Sequence, residues 1–292
     1  MKKTTFHIVD VFTEKKFAGN QLAVFRNTGN LTSDEMQHIA REINFSETTF
    51  ILSDKPSSNG GFDVRIFTPK EEVPFAGHPT IGTAYIIRNE ILQGNAENVI
   101  LNLKVGQIPV NFSQDGYCWM KQIEPIFGQQ HKPETLAEVL GLDITALDER
   151  YPIEEVSTGL PFFIVPLKSI ASLKKVRIDK EKYFDLIKDT IAKGILIFCP
   201  ETHEPQNNIS VRVFVEYYGV PEDPATGSGN GCLCGYLIKH HYFGEGSINI
   251  RSELGYEIGR PSLLLLKASQ KGASIDIHVG GKSIIVAQGE LI

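Results

Sequence analysis

The sequence of 292 residues has few cysteines, one tryptophan and no long run of charge of one sign. Four cysteines in a chain of this length do not make a disulfide framework. No apolar run is long enough to span a bilayer, and His7 and Asp10 interrupt the apolar core that a signal peptide would need. With 35 acidic and 29 basic residues, the chain lacks the basic face typical of nucleic-acid binders. These absences predict a cytoplasmic protein that binds neither membranes nor nucleic acid.

One group of residues could be taken for a metal site: Cys232 and Cys234, followed by His240 and His241. On a helix the side chains of residues i and i+2 diverge, and the ligand spacings of zinc sites differ from this one. We therefore predict no metal, and buried thiols that behave as small apolar side chains.

The chain repeats itself. Residues 64–67, VRIF, recur as VRVF at 211–214, and the same ungapped offset of 147 aligns residues 48–54 with 195–201 and Gly82 with Gly229. Matches in register at one offset indicate a duplicated fold. We predict an α+β protein of two pseudo-symmetric domains, the first spanning residues 1–121 plus 284–292 and the second residues 122–283.

Each half contains short runs rich in Val, Ile, Phe and Thr, which predict strands, and two helices. The first helix, near residues 31–44, has Thr32 or Ser33 as its N-cap and an apolar stripe at helical spacing. The other helix of the first half, PTIGTAYIIRNEIL, and its counterpart GNGCLCGYLIKHHYF are apolar nearly all round, which is typical of buried helices. Each domain is therefore predicted to be a barrel-like sheet around a central helix.

Both buried helices follow turn-rich segments, FAGHPTIG and EDPATGSG. The free N–H groups and the positive dipole end of a helix start favour anions. If both starts face one cleft between the domains, they suit a small-molecule substrate that carries a carboxylate.

The ungapped alignment also places polar side chains opposite groups that cannot do the same chemistry. The pairs are Glu47 with Gly194, His78 with Ala225, Asp223 with Ala76, and Ser228 with Ile81. Functional groups that occur once, on alternate halves, indicate a single asymmetric site.

Each candidate also has a structural interpretation. Glu47 could cap a turn, or, if enclosed, could have a raised pKa suited to acid/base work. His78 could be a turn histidine, and Asp223 and Ser228 could cap the turn and the helix that follow them. Glu222 is predicted to be exposed. The GSG lacks the strand-to-helix elbow of a serine hydrolase, and no dinucleotide-binding glycine motif follows a strand.

Several motifs in order resemble the phenazine-biosynthesis PhzF-like family, which has the diaminopimelate-epimerase-like fold. They are DVFTEKKFAGNQLAVF, NFSETTFIL, RIFTPKEEVPFAGHPTIGTA and DPATGSG, with agreement continuing to GGKSIIVAQGELI. The resemblance covers nearly the whole chain. It implies an isomerase that uses no cofactor or metal and usually forms homodimers.

The resemblance also implies roles for particular residues. Glu47 corresponds to the family's proposed proton shuttle, and His78 and Asp223 to groups that handle protons and position substrate. The implied substrate-binding residues are Asn20, Gly77, Gly227, Ser228 and Gly229. An epimerase or racemase that uses Glu47 or Asp223 in place of thiols stays open, as does a binding protein that has kept the fold without the chemistry.

Overall fold

The computed structural model describes residues 3–244 and 246–292 and contains two compact units. The first unit comprises Met1–Lys121 and Gly280–Ile292, and the second comprises Gln122–Val279. The chain therefore leaves the first unit after Lys121 and returns to it near the C-terminus.

The described residues of the first unit form two α-helices, α1 (Ser33–Ile43) and α2 (Gly77–Ile86), with a π-helical turn at Ile87–Ile91. Its strands before the second unit are β1 (Thr4–Val11), β2 (Asn20–Phe25), β3 (Thr48–Ile51), β4 (Phe62–Phe67), β5 (Glu72–Val73), β6 (Asn98–Leu103), β7 (Gly106–Phe112) and β8 (Cys118–Lys121).

In the second unit, residues 122–244 and 246–279 include four α-helices, α3 (Pro133–Leu140), α4 (Ile170–Lys175), α5 (Lys180–Ile187) and α6 (Gly227–Lys239). Its strands are β9 (Ile126–His131), β10 (Ile153–Ser157), β11 (Pro161–Pro166), β12 (Gly194–Cys199), β13 (Ile209–Val215), β14 (Val220–Asp223), β15 (Ser247–Leu254) and β16 (Ser262–Lys271). Strand β17 (Ser274–Gly281) begins in the second unit, and its last residues, Gly280 and Gly281, belong to the first. Strand β18 (Ser283–Leu291) ends the chain in the first unit.

The two units share one order of strand pairing. In the first, β1 is antiparallel to β2, β2 parallel to β3, β3 antiparallel to β4, and β4 antiparallel to β5 and parallel to β6. In the second, β10 is antiparallel to β11, β11 parallel to β12, β12 antiparallel to β13, and β13 antiparallel to β14 and parallel to β15. This correspondence confirms the predicted duplication and the α+β class.

Helix α2 contacts β1, β2, β3, β6, β7, β8 and β18 and is buried on nearly all sides. Gly82 lets the helix approach the sheet, since a Cβ there would come within 2.7 Å of both Leu22 and Val11 side-chain atoms. In the second unit, α6 packs on β10, β11, β15 and β16. A helix enclosed by short strands is the predicted arrangement of each unit.

The prediction of two helices per half is wrong for the second unit, where α3, α4 and α5 add a layer. Their apolar side chains, among them Leu136, Leu140, Leu173 and Tyr183, form a core with strand residues of that unit. Over residues 3–244 and 246–292, no helix is both long enough and apolar enough to cross a membrane.

Candidate functional site

Three of the predicted site residues lie together in the first unit. His78 Nε2 is 3.5 Å from Glu47 Oε2, and His78 Nδ1 is 3.3 Å from the amide nitrogen of Asn20. The side chains of His78 and Glu47 are only 7% and 19% exposed, and Asn20 is buried. A carboxylate, an imidazole and an amide are thus brought together although Asn20 and His78 are 58 positions apart in the sequence.

Local structure explains how these three groups meet. Glu47 immediately precedes β3, which pairs with β2 and β4. Asn20 is the first residue of β2, and His78 is the second residue of α2, which packs on both β2 and β3. Neighbouring strand starts and the start of the central helix therefore converge.

Burial determines the charge of His78. Desolvation lowers its pKa from the usual 6.5 to about 3, and a backbone hydrogen bond with Gln21 opposes that shift only in part. His78 is therefore neutral at physiological pH. In the tautomer in which Asn20 donates to Nδ1, the proton is on Nε2 and faces Glu47.

The connection between β1 and β2, residues 12–19, fixes the position of Asn20. Phe12 and Phe17 both have left-handed backbone conformations, with φ of 64° and 67°, which is costly for residues with a side chain. The carboxylate of Asp10 accepts a hydrogen bond from Phe17 N–H at 2.6 Å. At Gly19 a Cβ would lie 2.3 Å from the carbonyl oxygen of Val11, so only glycine fits.

The part played by this loop was not predicted from the sequence. Asp10 served there only to exclude a signal peptide, and Gly19 carried no prediction. The length of the connection is the sequence feature that could have revealed its role. Residues 12–19 join β1 to β2, whereas the equivalent connection in the second unit, between β10 and β11, consists only of residues 158–160.

Of the remaining predicted residues, Gly77 begins α2 in the first unit, and Asp223, Gly227, Ser228 and Gly229 lie close together in the sequence of the second unit. Asp223 ends β14, and the hydroxyl of Thr226 donates to its carboxylate. Gly227, Ser228 and Gly229 form the first turn of α6; both glycines are buried and Ser228 is half-buried. The sequence DPATGSG contains these groups in the same order, with the acid Asp223 first, then the hydroxyl of Thr226, then the start of α6 at Gly227.

Neither buried helix has a side-chain cap. Ala76 precedes α2 and has no capping group, and the hydroxyl of Thr226 is directed to Asp223 and does not cap α6. The first N–H groups of a helix have no partner within the helix. Gly77 in α2 and Gly227–Gly229 in α6 therefore offer backbone donors to an anion.

A polar network behind the start of α6 was also missed. Asn230 is completely buried, donates to the Thr226 carbonyl at 3.0 Å and accepts from the Ser252 hydroxyl at 2.8 Å. The Thr80 hydroxyl makes the corresponding bond to the Ala76 carbonyl at the start of α2. An Asn after a run of glycine and serine has no distinctive pattern, so only the fold reveals its role.

The ungapped repeat alignment is wrong beyond β4. Ile66 pairs with Val73, whereas its equivalent Val213 pairs with Asp223, because the second hairpin has a bulge and three more residues. Helix α2 begins at Gly77 and α6 at Gly227, so the offset there is 150.

The corrected alignment changes which residues are equivalent. His78 corresponds to Ser228, and Asp223 corresponds to Val73. Glu47 still corresponds to Gly194, since the residue after each pairs in the same register, Thr48 with Phe67 and Ile195 with Phe214. The asymmetry of functional groups between the units therefore remains, with different partners.

The thiols are not arranged for catalysis. Cys232 and Cys234 are completely buried within α6, and burial raises the pKa of both, to about 11 for Cys232. Within the described part of the chain, no cluster of three His, Cys, Asp or Glu side chains could hold a metal ion.

The prediction that Glu222 is exposed is wrong. Its carboxylate is paired with Arg212, and its side chain is 10% exposed.

The whole chain is similar to proteins of one family. The sequence model of the family described as "Phenazine biosynthesis-like protein" matches residues 9–289. The trans-2,3-dihydro-3-hydroxyanthranilate isomerase of Pseudomonas aeruginosa is 33% identical, over 97% of both chains. An uncharacterized isomerase of Clostridium acetobutylicum is 31% identical, over 100% of this chain and 99% of the relative.

A solved structure agrees with the fold. The PhzF-family phenazine biosynthesis protein of Bacillus anthracis is 28% identical and superimposes with a TM-score of 0.92, covering 100% of both chains. Both the predicted family and the predicted fold class are confirmed.

Proposed function

Since this chain belongs to the family of phenazine biosynthesis-like proteins and is an isomerase, we propose that Glu47 moves a proton between two carbons of one small, carboxylate-bearing substrate. The observation that supports this most directly is the enclosed Glu47 carboxylate, 3.5 Å from a neutral imidazole. A proton shuttle needs an acceptor that water does not reach freely and a neighbour that holds it in place.

The proposed reaction balances without an external reagent. The Glu47 carboxylate takes a proton from a carbon made acidic by conjugation, and the electron pair of the C–H bond enters the conjugated system. The resulting carboxylic acid returns the proton to a second carbon of the same molecule. The oxidation state of the substrate does not change, so no hydride or electron carrier is needed.

His78 and Asn20 would orient the base. A neutral His78 can donate from Nε2 to the Glu47 carboxylate, and Asn20 fixes the imidazole ring from the other side. Because the imidazole stays neutral, it holds the carboxylate without the permanent positive charge that would weaken Glu47 as a base.

Asp223 and the helix starts are proposed to bind the same substrate. The N–H groups of Gly77 and of Gly227–Gly229, with the Ser228 hydroxyl, would hold its carboxylate. Asp223, kept in place by Thr226, would handle a second proton or a polar group of the substrate. We also propose a homodimer, as the family resemblance implies, to be checked by sedimentation equilibrium.

The test uses the substrate named for the Pseudomonas relative. Trans-2,3-dihydro-3-hydroxyanthranilate is incubated with wild type and with Glu47→Gln, and turnover is followed by ultraviolet absorbance and product mass. Glu47→Gln keeps the size of the side chain and removes the base, so kcat should fall by about 10²–10⁴-fold.

Glu42→Gln is the matched control, since Glu42 is exposed on α1 and five residues away in sequence. It should keep wild-type kcat. Substantial turnover by Glu47→Gln would overturn the assignment of the base. Deuterium exchange at one carbon with inversion there, in place of transfer to a second carbon, would identify an epimerase.

A further inference from the structure

Two arginine–glutamate pairs recur at the same place in the two units. Arg65 of β4 donates from Nε and Nη2 to the two carboxylate oxygens of Glu72 in β5, at 2.9 and 2.7 Å. Arg212 of β13 donates in the same way to Glu222 of β14, at 2.9 and 2.8 Å. We call the Arg65–Glu72 pair the first fork and the Arg212–Glu222 pair the second fork.

Each fork is also stacked in the same way. The guanidinium carbon of Arg65 lies 5.0 Å from the centre of the Phe67 ring, and that of Arg212 lies 4.9 Å from the centre of the Phe214 ring. The geometry is kept although the second hairpin is longer. A feature that persists through a change of loop length indicates a requirement at the hairpin itself.

The second fork is the more enclosed. The side chains of Arg212 and Glu222 are 5% and 10% exposed, against 25% and 15% for Arg65 and Glu72. Arg212 Nη1 also donates to the carbonyls of Leu173 at 2.8 Å and Val176 at 3.4 Å, where α4 ends. The guanidinium therefore joins β13, β14 and the end of α4.

The residue that follows the second fork is a candidate catalytic residue. Successive side chains of a strand point to opposite faces, so a Glu222 fixed on one face directs Asp223 to the other. The Thr226 hydroxyl then holds the Asp223 carboxylate next to the first turn of α6. In the first unit the equivalent position is Val73, which has no polar group to direct.

We propose that Arg212 and Glu222 are positioning residues that set the orientation of Asp223 for the isomerase reaction. This rests on the proposed function, in which Asp223 contacts the substrate. A buried ion pair is a weak source of stability because desolvation offsets its attraction, whereas a planar bidentate fork fixes geometry.

The informative variant is Arg212→Lys, which keeps the positive charge and loses the bidentate fork. We expect kcat to fall at least tenfold with KM changed less than threefold. Amide hydrogen exchange, followed by mass spectrometry, should accelerate in residues 220–231 and stay unchanged in β12.

Asp148→Asn is the control in the same unit. Asp148 is buried and accepts a bidentate bond from Arg150 at 2.8 and 2.7 Å, on the chain between α3 and β10. It should leave kcat and the exchange of residues 220–231 close to wild type. Equal effects of both substitutions, or acceleration across the whole second unit in Arg212→Lys, would overturn the positioning role.

Asp223→Asn separates this inference from the proposed function. If Asp223→Asn keeps full activity, the assigned role of Asp223 fails. If it is inactive while Arg212→Lys has wild-type kcat and exchange, only the positioning role fails. If wild type does not turn over the substrate, the proposed substrate fails and the exchange comparison still decides whether the fork orders the Asp223 segment.

Discussion

His78 illustrates how burial alone can set the charge of a site. With its pKa lowered to about 3, the imidazole does not titrate between pH 5 and 8. Any pH dependence of the reaction in that range must therefore come from other groups. His7, also buried, has its pKa lowered chiefly by desolvation, so it contributes to stability in the same direction.

The lowered pKa predicts acid sensitivity of folding. The unfolded chain protonates His78 below pH 6.5, whereas the folded chain does so only near pH 3. The stabilisation is therefore complete above pH 6.5 and is lost as the pH falls toward 3, by up to about 1.4 kcal/mol per pH unit.

Urea unfolding at pH 7, 6 and 5 measures this effect. The free energy of unfolding should fall less steeply with pH in His78→Gln than in wild type, while exposed His38→Gln should follow wild type. Parallel pH profiles for wild type and His78→Gln would contradict the assigned charge state.

At the level of single elements, local signals made some predictions reliable. Thr32 caps α1, with a reciprocal bond from its backbone to Glu35, and Met36, Ile39 and Ala40 are buried as the apolar stripe predicts. These interactions lie within one turn or two of the helix, so the sequence contains them fully.

Signals that depend on another strand were missed. The β13–β14 hairpin has three more residues than the β4–β5 hairpin. The matching sequences VRIF and VRVF lie before this insertion and do not reveal it, so an ungapped alignment misaligns the residues that follow.

The apolar run at residues 99–112 predicts a single strand. The structure has two strands there, β6 and β7, with a turn before Gly106, whose φ is 115°.

The loop of residues 12–19 is an element whose shape we expect to matter for catalysis. Gly19→Ala places a methyl group 2.3 Å from the Val11 carbonyl oxygen, at a backbone φ of 68°. The loop must shift, and with it Asn20, so stability and kcat should both fall.

Gly60→Ala is the control, because Gly60 has a φ of 82° and a methyl group there would have no neighbouring atom within 4 Å. It should cost about 1–2 kcal/mol from backbone strain alone, with kcat unchanged. Thermal unfolding and steady-state kinetics on both variants check this. Equal losses at the two positions would contradict the close approach at Gly19.

On the scale of the whole chain, the last strand completes the first unit. Strand β18 pairs with β1 from Thr4–Leu291 to Val11–Ser283, with one irregularity near Ile8. The fold class and the repeat could be predicted from the sequence, because the two halves of a duplicated chain retain similar short segments. The repeat also grouped Glu47 and His78 in one site, whereas the place of Asn20 beside them was predicted only from the family resemblance, since no local pattern joins residues so far apart.

Removal of residues 284–292 should therefore destroy the first unit, although the segment is at the end of the sequence. It would leave one edge of β1 unpaired, with aggregation as the expected result. Circular dichroism and size-exclusion chromatography measure this. Removal of Ile292 alone, which is 88% exposed, is the control and should have no effect. A folded protein that elutes at the same volume as wild type after the longer truncation would contradict the role of β18.

The central claim is that Glu47 carries a proton from one carbon of the substrate to another. The most direct measurement uses trans-2,3-dihydro-3-hydroxyanthranilate labelled with deuterium at the carbon that loses its hydrogen, in single turnovers in ordinary water. We expect product with part of the label on the new carbon for wild type, and neither product nor loss of label for Glu47→Gln within the time of one wild-type turnover. Label loss by Glu47→Gln at the wild-type rate would contradict the proton transfer assigned to Glu47.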